Sequence, residues 1–217
     1  DPPPAWHTRR VADSPSRRST PRGGRPAAGS ELSLDDVARA AVDVVAEVGV
    51  DGMTRALVAD RLGVSSRALY RLAPTSEALL ICAIGEWQRR WFPPDDTGDW
   101  VDDLQRWAEA TLDHMSRHRG LVVASMQVEA PEEPVRHVME GGIDLIVRRA
   151  GVDPTAAAEF FSLLGMHCIG WHVVFPPDRP TPADPGADAH VDFRRRGFRR
   201  GLDLLLRGFA AEVADST

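Results

Sequence analysis

The segment TRALVADRLGVSSRALYRL, residues 54–72, has room for only two short helices joined by a tight turn. Thr54 is suited to cap the first helix, and Gly63 is suited to end it, because glycine readily adopts the left-handed conformation found after a helix C-terminus. Ala59 is small enough for two helices to cross closely, and Leu69, ten residues later, points back into a small core. This spacing predicts a helix-turn-helix.

The rest of the chain also shows helical periodicity, and no segment alternates as a strand does. Ser33 is a good N-cap, acidic residues follow it, and Gly49 is a suitable stop, so a helix is predicted between them. Asp153 followed by Pro154 marks another helix start. We therefore predict an all-α fold. The helices predicted after residue 74 cover 76–91, 99–118, 121–130, 132–150, 154–175 and 193–213, with a loop at 176–190.

Composition divides the chain into three parts. Residues 1–30 are rich in Arg, Pro and Gly and lack hydrophobic periodicity, which predicts a flexible arm. Residues 31–78 contain the helix-turn-helix, and residues 79–217 are predicted to form a larger helical domain. The two cysteines, Cys82 and Cys168, lie in apolar helical patterns, which favours core positions over a disulfide or a metal site.

Charge is distributed unevenly along the chain. The formal net charge is −6, yet residues 54–72 hold four arginines and one aspartate, which gives +3. Residues 1–30 hold six arginines and two aspartates, which gives +4. Basic segments on an acidic chain indicate a localised surface rather than a general affinity for nucleic acid. No signal peptide and no run of about 18 apolar residues is recognisable, so a cytoplasmic protein without a membrane partner is expected.

The segment GVDGMTRALVADRLGVSSRALYRLAPTSEALL, residues 49–80, resembles the DNA-binding domain of the TetR family of transcriptional regulators, and within it the tetracycline-repressor branch. The shared pattern is Gly-x-x-Gly-x-Thr, Leu-Gly-Val, and Leu-Tyr followed by Ala-Leu-Leu. Trp100, HRG at residues 118–120 and RRGLDLLLRGF near the end of the chain extend the resemblance. It implies a ligand-responsive repressor that binds operator DNA as a homodimer. No nucleophile or paired carboxylate set keeps a usable spacing, so no enzymatic activity is expected.

The resemblance also implies which residues contact DNA. Tyr70, the only tyrosine, would direct its hydroxyl to a phosphate while its ring packs on the helix-turn-helix core. Arg67 and Arg71 share one face of the recognition helix, where guanidinium groups reach phosphates or guanine edges. The predicted DNA-contacting residues are Thr54, Arg55, Ser65, Ser66, Arg67, Tyr70 and Arg71.

Five departures from the family pattern leave an alternative open. Ala56, Leu57, Leu72, Ala73 and Ser76 stand where the family commonly has other residues, several of which help to bind DNA. Such losses fit a helical small-molecule-binding dimer with a degenerate, non-specific DNA head. They also fit a shift of affinity to the arginine-rich arm. That arm includes PRGGRP, which is close to a minor-groove hook, although a purely electrostatic contribution is the simpler interpretation.

The resemblance makes the C-terminal domain a ligand-binding and dimerisation domain. Aromatic and methionine side chains on its helices suit a hydrophobic, planar effector. Of the residues that hold metal-tetracycline in the branch only His118 is matched, so tetracycline is not the expected effector. His114 and His118 have no accompanying carboxylate in the sequence, and we predict no metal or cofactor. The predicted ligand-binding residues are Trp87, Trp91, Trp107, Thr111, Met115, His118, Met126, Met139 and Trp171.

Small residues on the last two helices predict the dimer interface. Each glycine inside a helix costs about 1 kcal/mol relative to alanine, a cost that close packing against another helix can offset. A two-fold dimer places its recognition helices in successive major grooves, so the operator should be an approximate palindrome. The predicted dimerisation residues are Ala158, Ser162, Gly165, Gly197, Gly201 and Gly208.

Overall fold

A computed structural model describes residues 32–129, 132–176 and 187–215 of the chain. All regular secondary structure in these residues is helical, which confirms the all-α prediction. The predicted N-terminal arm lies outside the described residues. The helices are α1 (Leu34–Gly52), α2 (Arg55–Leu62), α3 (Ser66–Tyr70), α4 (Ser76–Arg89), α5 (Trp100–Arg117), α6 (Arg119–Ser125), α7 (Glu133–Ala150), α8 (Pro154–Val174) and α9 (Ala187–Asp215).

Side-chain caps fix where several helices begin, at the predicted residues. The Ser33 hydroxyl accepts a hydrogen bond from the Asp36 N–H, and the Asp36 carboxylate accepts one from the Ser33 N–H. Thr54 accepts from the N–H of Leu57 at the start of α2, and Asp153 accepts from two N–H groups at the start of α8. These caps satisfy backbone donors that a helix start otherwise leaves unpaired.

Two glycines set the path of the chain in the N-terminal helices. Gly63 ends α2 with φ 67° and ψ 32°, the left-handed conformation that the turn requires. Gly49, which the sequence predicts as the end of the first helix, has φ 76° and forms a kink within α1, after which the helix continues to Gly52. Other side chains are strained at such positive φ values, so both positions favour glycine.

Helices α1 to α3, hereafter the head, pack around a small apolar core. Val58, Ala59 and Leu69 are almost completely buried, with exposed fractions of 0%, 2% and 0%. The head core continues without interruption into α4, because α1 packs along α4 and buries residues such as Leu79 and Ile84. The head is therefore joined to the rest of the protein by a packed helix pair.

Helices α4 to α9, hereafter the body, form a second and larger apolar core. α8 is long and apolar enough to cross a membrane by length and composition alone. The same properties suit a core helix, and α8 packs against α5, α7 and α9 while burying Phe160, Phe161 and Leu164. The apolar character of α8 is thus explained by its central position in the body.

Helices α6 and α9 differ most from their predicted bounds. α6 covers Arg119–Ser125, whereas the pattern predicts 121–130. Pro131 disfavours the helical conformation in the residue before it, which argues against a helix extending to that point. α9 begins at Ala187 rather than at residue 193, because the six residues ADAHVD contain neither glycine nor proline and continue the helix towards its N-terminus.

Gly197 and Gly201 pack against α8 of the same protomer, which corrects their predicted role at the dimer interface. A Cβ atom at Gly197 would collide with the ring of Trp171, and one at Gly201 would lie 2.5 Å from Cε1 of His167. These glycines therefore allow α8 and α9 to approach each other closely. A Cβ atom at Gly208 meets nothing within 4 Å, so this residue remains accessible to a partner.

We expect Gly201→Ala to destabilise the protein, because the new methyl group must displace the His167 ring. Overpacking of this kind costs about 1–3 kcal/mol and should lower Tm by several degrees in differential scanning calorimetry at one fixed protein concentration. Gly170→Ala in α8, where an added Cβ atom would meet nothing within 4 Å, is the control and should leave Tm unchanged or raise it. Equal decreases in the two variants would contradict the packing described for α8 and α9.

Candidate functional site

The recognition helix α3 presents a polar and positively charged surface. The Ser65 side chain caps the helix by accepting from the Ala68 N–H at 3.2 Å, and both Ser65 and Ser66 are exposed. The side chains of Arg67 and Arg71 are also exposed, and neither has an ion-pair partner among the described residues. Unpaired guanidinium groups at a recognition helix are free to bind phosphates or guanine edges.

Tyr70 lies on this surface and is 56% exposed. Its ring does not pack in the core, contrary to the prediction from the resemblance, because Leu69 fills that position. The guanidinium carbon of Arg55 lies instead 5.2 Å from the centre of the Tyr70 ring, which is a cation–π arrangement. A cation therefore contacts one face of the Tyr70 ring, while more than half of the side chain stays exposed.

Arg55 is engaged within the protein rather than free for DNA. Its Nη2 atom donates to the carbonyl oxygen of Pro74 at 2.7 Å, in the turn that precedes α4. Arg61 forms an ion pair with Glu47 of α1 at 2.5 Å. Two of the four arginines in residues 54–72 thus hold the head together. We infer that Arg55, predicted as a DNA contact, acts mainly by positioning the Tyr70 ring.

The first turn of α2 forms the second part of this surface. The hydroxyl oxygen of exposed Thr54 accepts from the Leu57 N–H at 3.3 Å, which leaves its O–H free to donate to a phosphate. In the sequence, Ala56 and Leu57 are notable only because they replace polar residues of the family pattern that help to bind DNA. In the structure both are exposed, Leu57 to 42%, and an exposed leucine offers apolar surface of the kind that meets thymine methyl groups.

A cavity of about 340 Å³ lies in the body, between α4, α5, α6, α7 and α8. Its walls are largely apolar, and none of the described residues that line it carries a charge. Such a cavity suits an uncharged ligand, because a charged group transferred there from water would lose its hydration without gaining an ionic partner. Six of the predicted ligand-binding residues line the cavity, namely Trp87, Trp91, Trp107, Met115, Met126 and Met139.

Three predicted ligand-binding residues lie elsewhere. Thr111 is buried inside α5 at 6% exposure, and His118 is at the C-terminal end of that helix. Trp171 packs over α9, and its indole N–H donates to a backbone carbonyl of that helix at 3.1 Å. Conversely, Ser162 and Gly165, which the sequence predicts for dimerisation, line the cavity.

Sequence reasoning missed eight other cavity residues, namely Gln88, Val122, Ser125, Val135, Val138, Phe161, Met166 and Ile169. A signal for two of them was present. Phe161 and Ile169 recur with Gly165 at intervals of four residues, which places all three on one face of α8. The apolar character of the whole helix obscures that face, because its other residues are nearly as hydrophobic.

Two histidines lie beside the tryptophan wall of the cavity. The ring of His114 stacks on Trp87, with centroids 5.7 Å apart and planes inclined by 9°, and the His118 ring lies 5.7 Å from His114. Burial, reinforced by His118, Arg117 and Arg90, lowers the pKa of His114 to about 4, and burial also lowers the pKa of His118. No group of three or more His, Cys, Asp or Glu side chains in the described ranges is arranged to hold a metal.

Known proteins share this arrangement of helices. No protein-family model matches the chain. The HTH-type transcriptional repressor DrrR1 of Streptomyces coeruleorubidus is 36% identical over 104 residues, which is 46% of this chain and 38% of that protein. Tetracycline repressor protein class D of Escherichia coli is 25% identical over an alignment of 203 residues, and the match covers 85% of this chain and 92% of that protein. A solved TetR variant of Acinetobacter baumannii AYE in complex with minocycline has a TM-score of 0.66 at 24% identity, covering 84% of this chain and 98% of that one.

The helix-turn-helix head and the cavity-bearing body define a transcriptional regulator with a helical effector domain. The chain is similar to TetR-family transcriptional regulators in sequence and in fold. The alignment with the class D repressor spans both head and body, whereas the alignment with DrrR1 spans less than half of either chain.

Arg67→Ala and Arg55→Ala should weaken operator binding in different ways. Loss of a phosphate contact by Arg67 in both subunits should reduce the magnitude of the log–log salt slope by about 1.8. Loss of Arg55 releases the Tyr70 ring, so the affinity should fall while the slope stays unchanged. Fluorescence anisotropy on an operator duplex across a salt series measures both quantities. A smaller slope in the Arg55 variant would show that this guanidinium also binds phosphate.

Acid should destabilise the body through His114. Its pKa is about 4 in the folded protein against an ordinary value of 6.5, so the unfolded chain binds more protons between these pH values. The stability present above pH 6.5 is therefore lost progressively as the pH falls towards 4. His114→Phe keeps a ring against Trp87 and should flatten this decrease in Tm, as followed by circular dichroism. An unchanged pH profile in the variant would contradict the assignment to His114.

Proposed function

We propose that this protein is a homodimeric repressor that leaves a palindromic operator when a hydrophobic small molecule occupies the cavity. One observation carries the proposal: α4 follows the helix-turn-helix directly and also provides Trp87 to the cavity wall, and Trp91, two residues beyond the end of α4, lies in the same wall. A ligand that contacts these residues acts on the helix that supports the recognition helix. A cytoplasmic location, where operator DNA is accessible, is part of the proposal.

Contacts as well as the chain itself connect α4 to the head. α1 packs along α4 through buried apolar residues. Arg55 donates to the carbonyl of Pro74, immediately before Thr75, whose side chain caps α4. A displacement of α4 would therefore move α3 with it. The two heads of the dimer can lie at two different distances from each other. A ligand that binds more tightly to the form whose distance does not fit the operator shifts the dimer towards that form, and the DNA is released.

An exposed apolar surface on α8 and α9 supports the homodimer. Leu163, Met166 and Leu204 are 57%, 64% and 57% exposed, and Gly208 beside them has open space above its Cα atom. Neighbouring exposed leucines and a methionine on two adjacent helices favour burial against a second copy. This surface replaces the one predicted from the glycine pattern, because Gly197 and Gly201 already face α8 of their own protomer.

The effector class follows from the lining of the cavity. The A. baumannii TetR variant of the same fold is in complex with minocycline, which supports a multi-ring effector for this architecture. The cavity of this chain, in the part that the structure describes, has no histidine or carboxylate in its wall. The proposed effector is therefore a hydrophobic molecule that enters without a metal ion.

A second candidate function is a ligand-binding dimer whose head binds DNA without sequence preference. The apolar residues Ala56 and Leu57 in the first turn of α2 favour it, because polar readers of bases are missing there. The two functions differ in selectivity for DNA but share the cavity.

Fluorescence anisotropy on a duplex from the region upstream of the coding sequence, beside a scrambled duplex, tests the proposal. Preferential binding to the native duplex, at the same salt concentration, supports the repressor. Equal binding to both duplexes, together with no enriched sequence in a genome-wide selection of bound DNA, would establish the non-specific head instead.

Leu204→Arg should convert the dimer to a monomer, because it places a charge in the apolar surface of α9. Sedimentation equilibrium measures the mass, and operator affinity should fall by about 100-fold or more because only one head then binds at a time. Val48→Arg changes a residue of α1 that is similarly exposed, at 45%, and is the control for the mass measurement. A Leu204→Arg variant that remains dimeric would place the interface elsewhere.

A further inference from the structure

Two tryptophans in the cavity wall have indole N–H groups without an acceptor. Trp87 is only 2% exposed and Trp91 is partly buried, and neither Nε1 atom has a hydrogen-bond partner in the residues that the structure describes. Trp107, which lines the same cavity, donates to the carbonyl of Phe92 at 2.9 Å. The cavity thus contains one satisfied indole and two unsatisfied ones.

A buried N–H without an acceptor is costly, and native structures rarely retain one without a reason. The two unsatisfied donors lie close together at the C-terminal end of α4. Trp87 lies in the last turn of α4, and Trp91 follows two residues after that helix ends at Arg89; their rings meet edge to face with centroids 5.1 Å apart. Both residues line the cavity. A ligand in the cavity would lie beside both residues, which makes it the acceptor considered for these donors.

A third polar atom lies on α4, in the residue that follows Trp87. The amide oxygen of Gln88, also in the cavity wall, is buried and has no donor in the described part of the chain. The His114 ring stacked on Trp87 limits the movement of that indole and is neutral near pH 7, because burial lowers its pKa to about 4. The polar groups of the wall are therefore uncharged donors and an uncharged acceptor, set among methionine and aromatic side chains.

We propose that the effector is a neutral, flat aromatic ketone whose carbonyl oxygen accepts hydrogen bonds from the indole N–H groups of Trp87 and Trp91. This inference rests on the proposed effector cavity and specifies its ligand. A hydroxyl next to the carbonyl would donate to Gln88. The aromatic rings of the ligand pack against the apolar wall, and the absence of charge in the described lining disfavours an ionised ligand.

Two probes of matched shape test the proposal, since 9-fluorenone and fluorene differ by one carbonyl oxygen. Isothermal titration calorimetry of the full-length dimer should give at least about tenfold tighter binding of fluorenone, because only it supplies an acceptor to the indoles. Trp87→Phe and Trp91→Phe keep an aromatic ring but remove the N–H, and each should reduce this preference. Trp171→Phe is the control and should retain it, because Trp171 lies outside the cavity and its N–H is already bonded to the carbonyl of Arg194.

The outcomes separate this inference from the proposed function. Equal affinities for the two probes in the unmodified protein would overturn the ketone assignment and leave the hydrophobic cavity intact. Binding of neither probe would overturn both, because the cavity would not admit a flat aromatic molecule. A preference that survives in both the Trp87→Phe and the Trp91→Phe variants would also overturn the assignment. Thermal unfolding of each variant establishes that it is folded before titration.

Discussion

The packing of α4 against α1 is the contact on which both functional regions depend. Leu79, Ala83 and Ile84 of α4 are buried, and this part of α4 is covered by the head. One turn further on, Trp87 belongs to the cavity wall. Close-packed interiors shift as units instead of deforming continuously, so a change at the tryptophan end of α4 reaches the head as a movement of the whole helix.

The features that sequence reasoning predicted well are governed by local rules. Thr54, Gly63 and Asp153 act through hydrogen bonds or backbone angles within a few residues, and each lies where the pattern places it. The side-chain position of Tyr70 is different. Its neighbour Arg55 also bonds to Pro74, nineteen residues along the chain, and no local pattern encodes such a contact.

The sequence does not show whether the small residues of α8 and α9 pack within one chain or against a second copy. A stripe of glycines indicates close approach to a helix but does not say whether that helix belongs to the same chain. Gly201 meets His167 of its own protomer, whereas Gly208 meets nothing, although both occur in the same sequence context of α9. The tryptophans show the same limit, since Trp107 and Trp171 look alike in sequence and only Trp107 lines the cavity. Three-dimensional packing separates these cases.

The exposed leucines of α8 and α9 have a consequence for the cell that contains this protein. If a second copy covers them, folding and association become one equilibrium, and the stability of each subunit rises with the total amount of repressor. A newly made subunit at low abundance is then more open to proteolysis than one in an established pool. The amount of such a regulator therefore depends on how much of it was made before. Once most subunits are in dimers, a brief interruption in expression removes little of the protein.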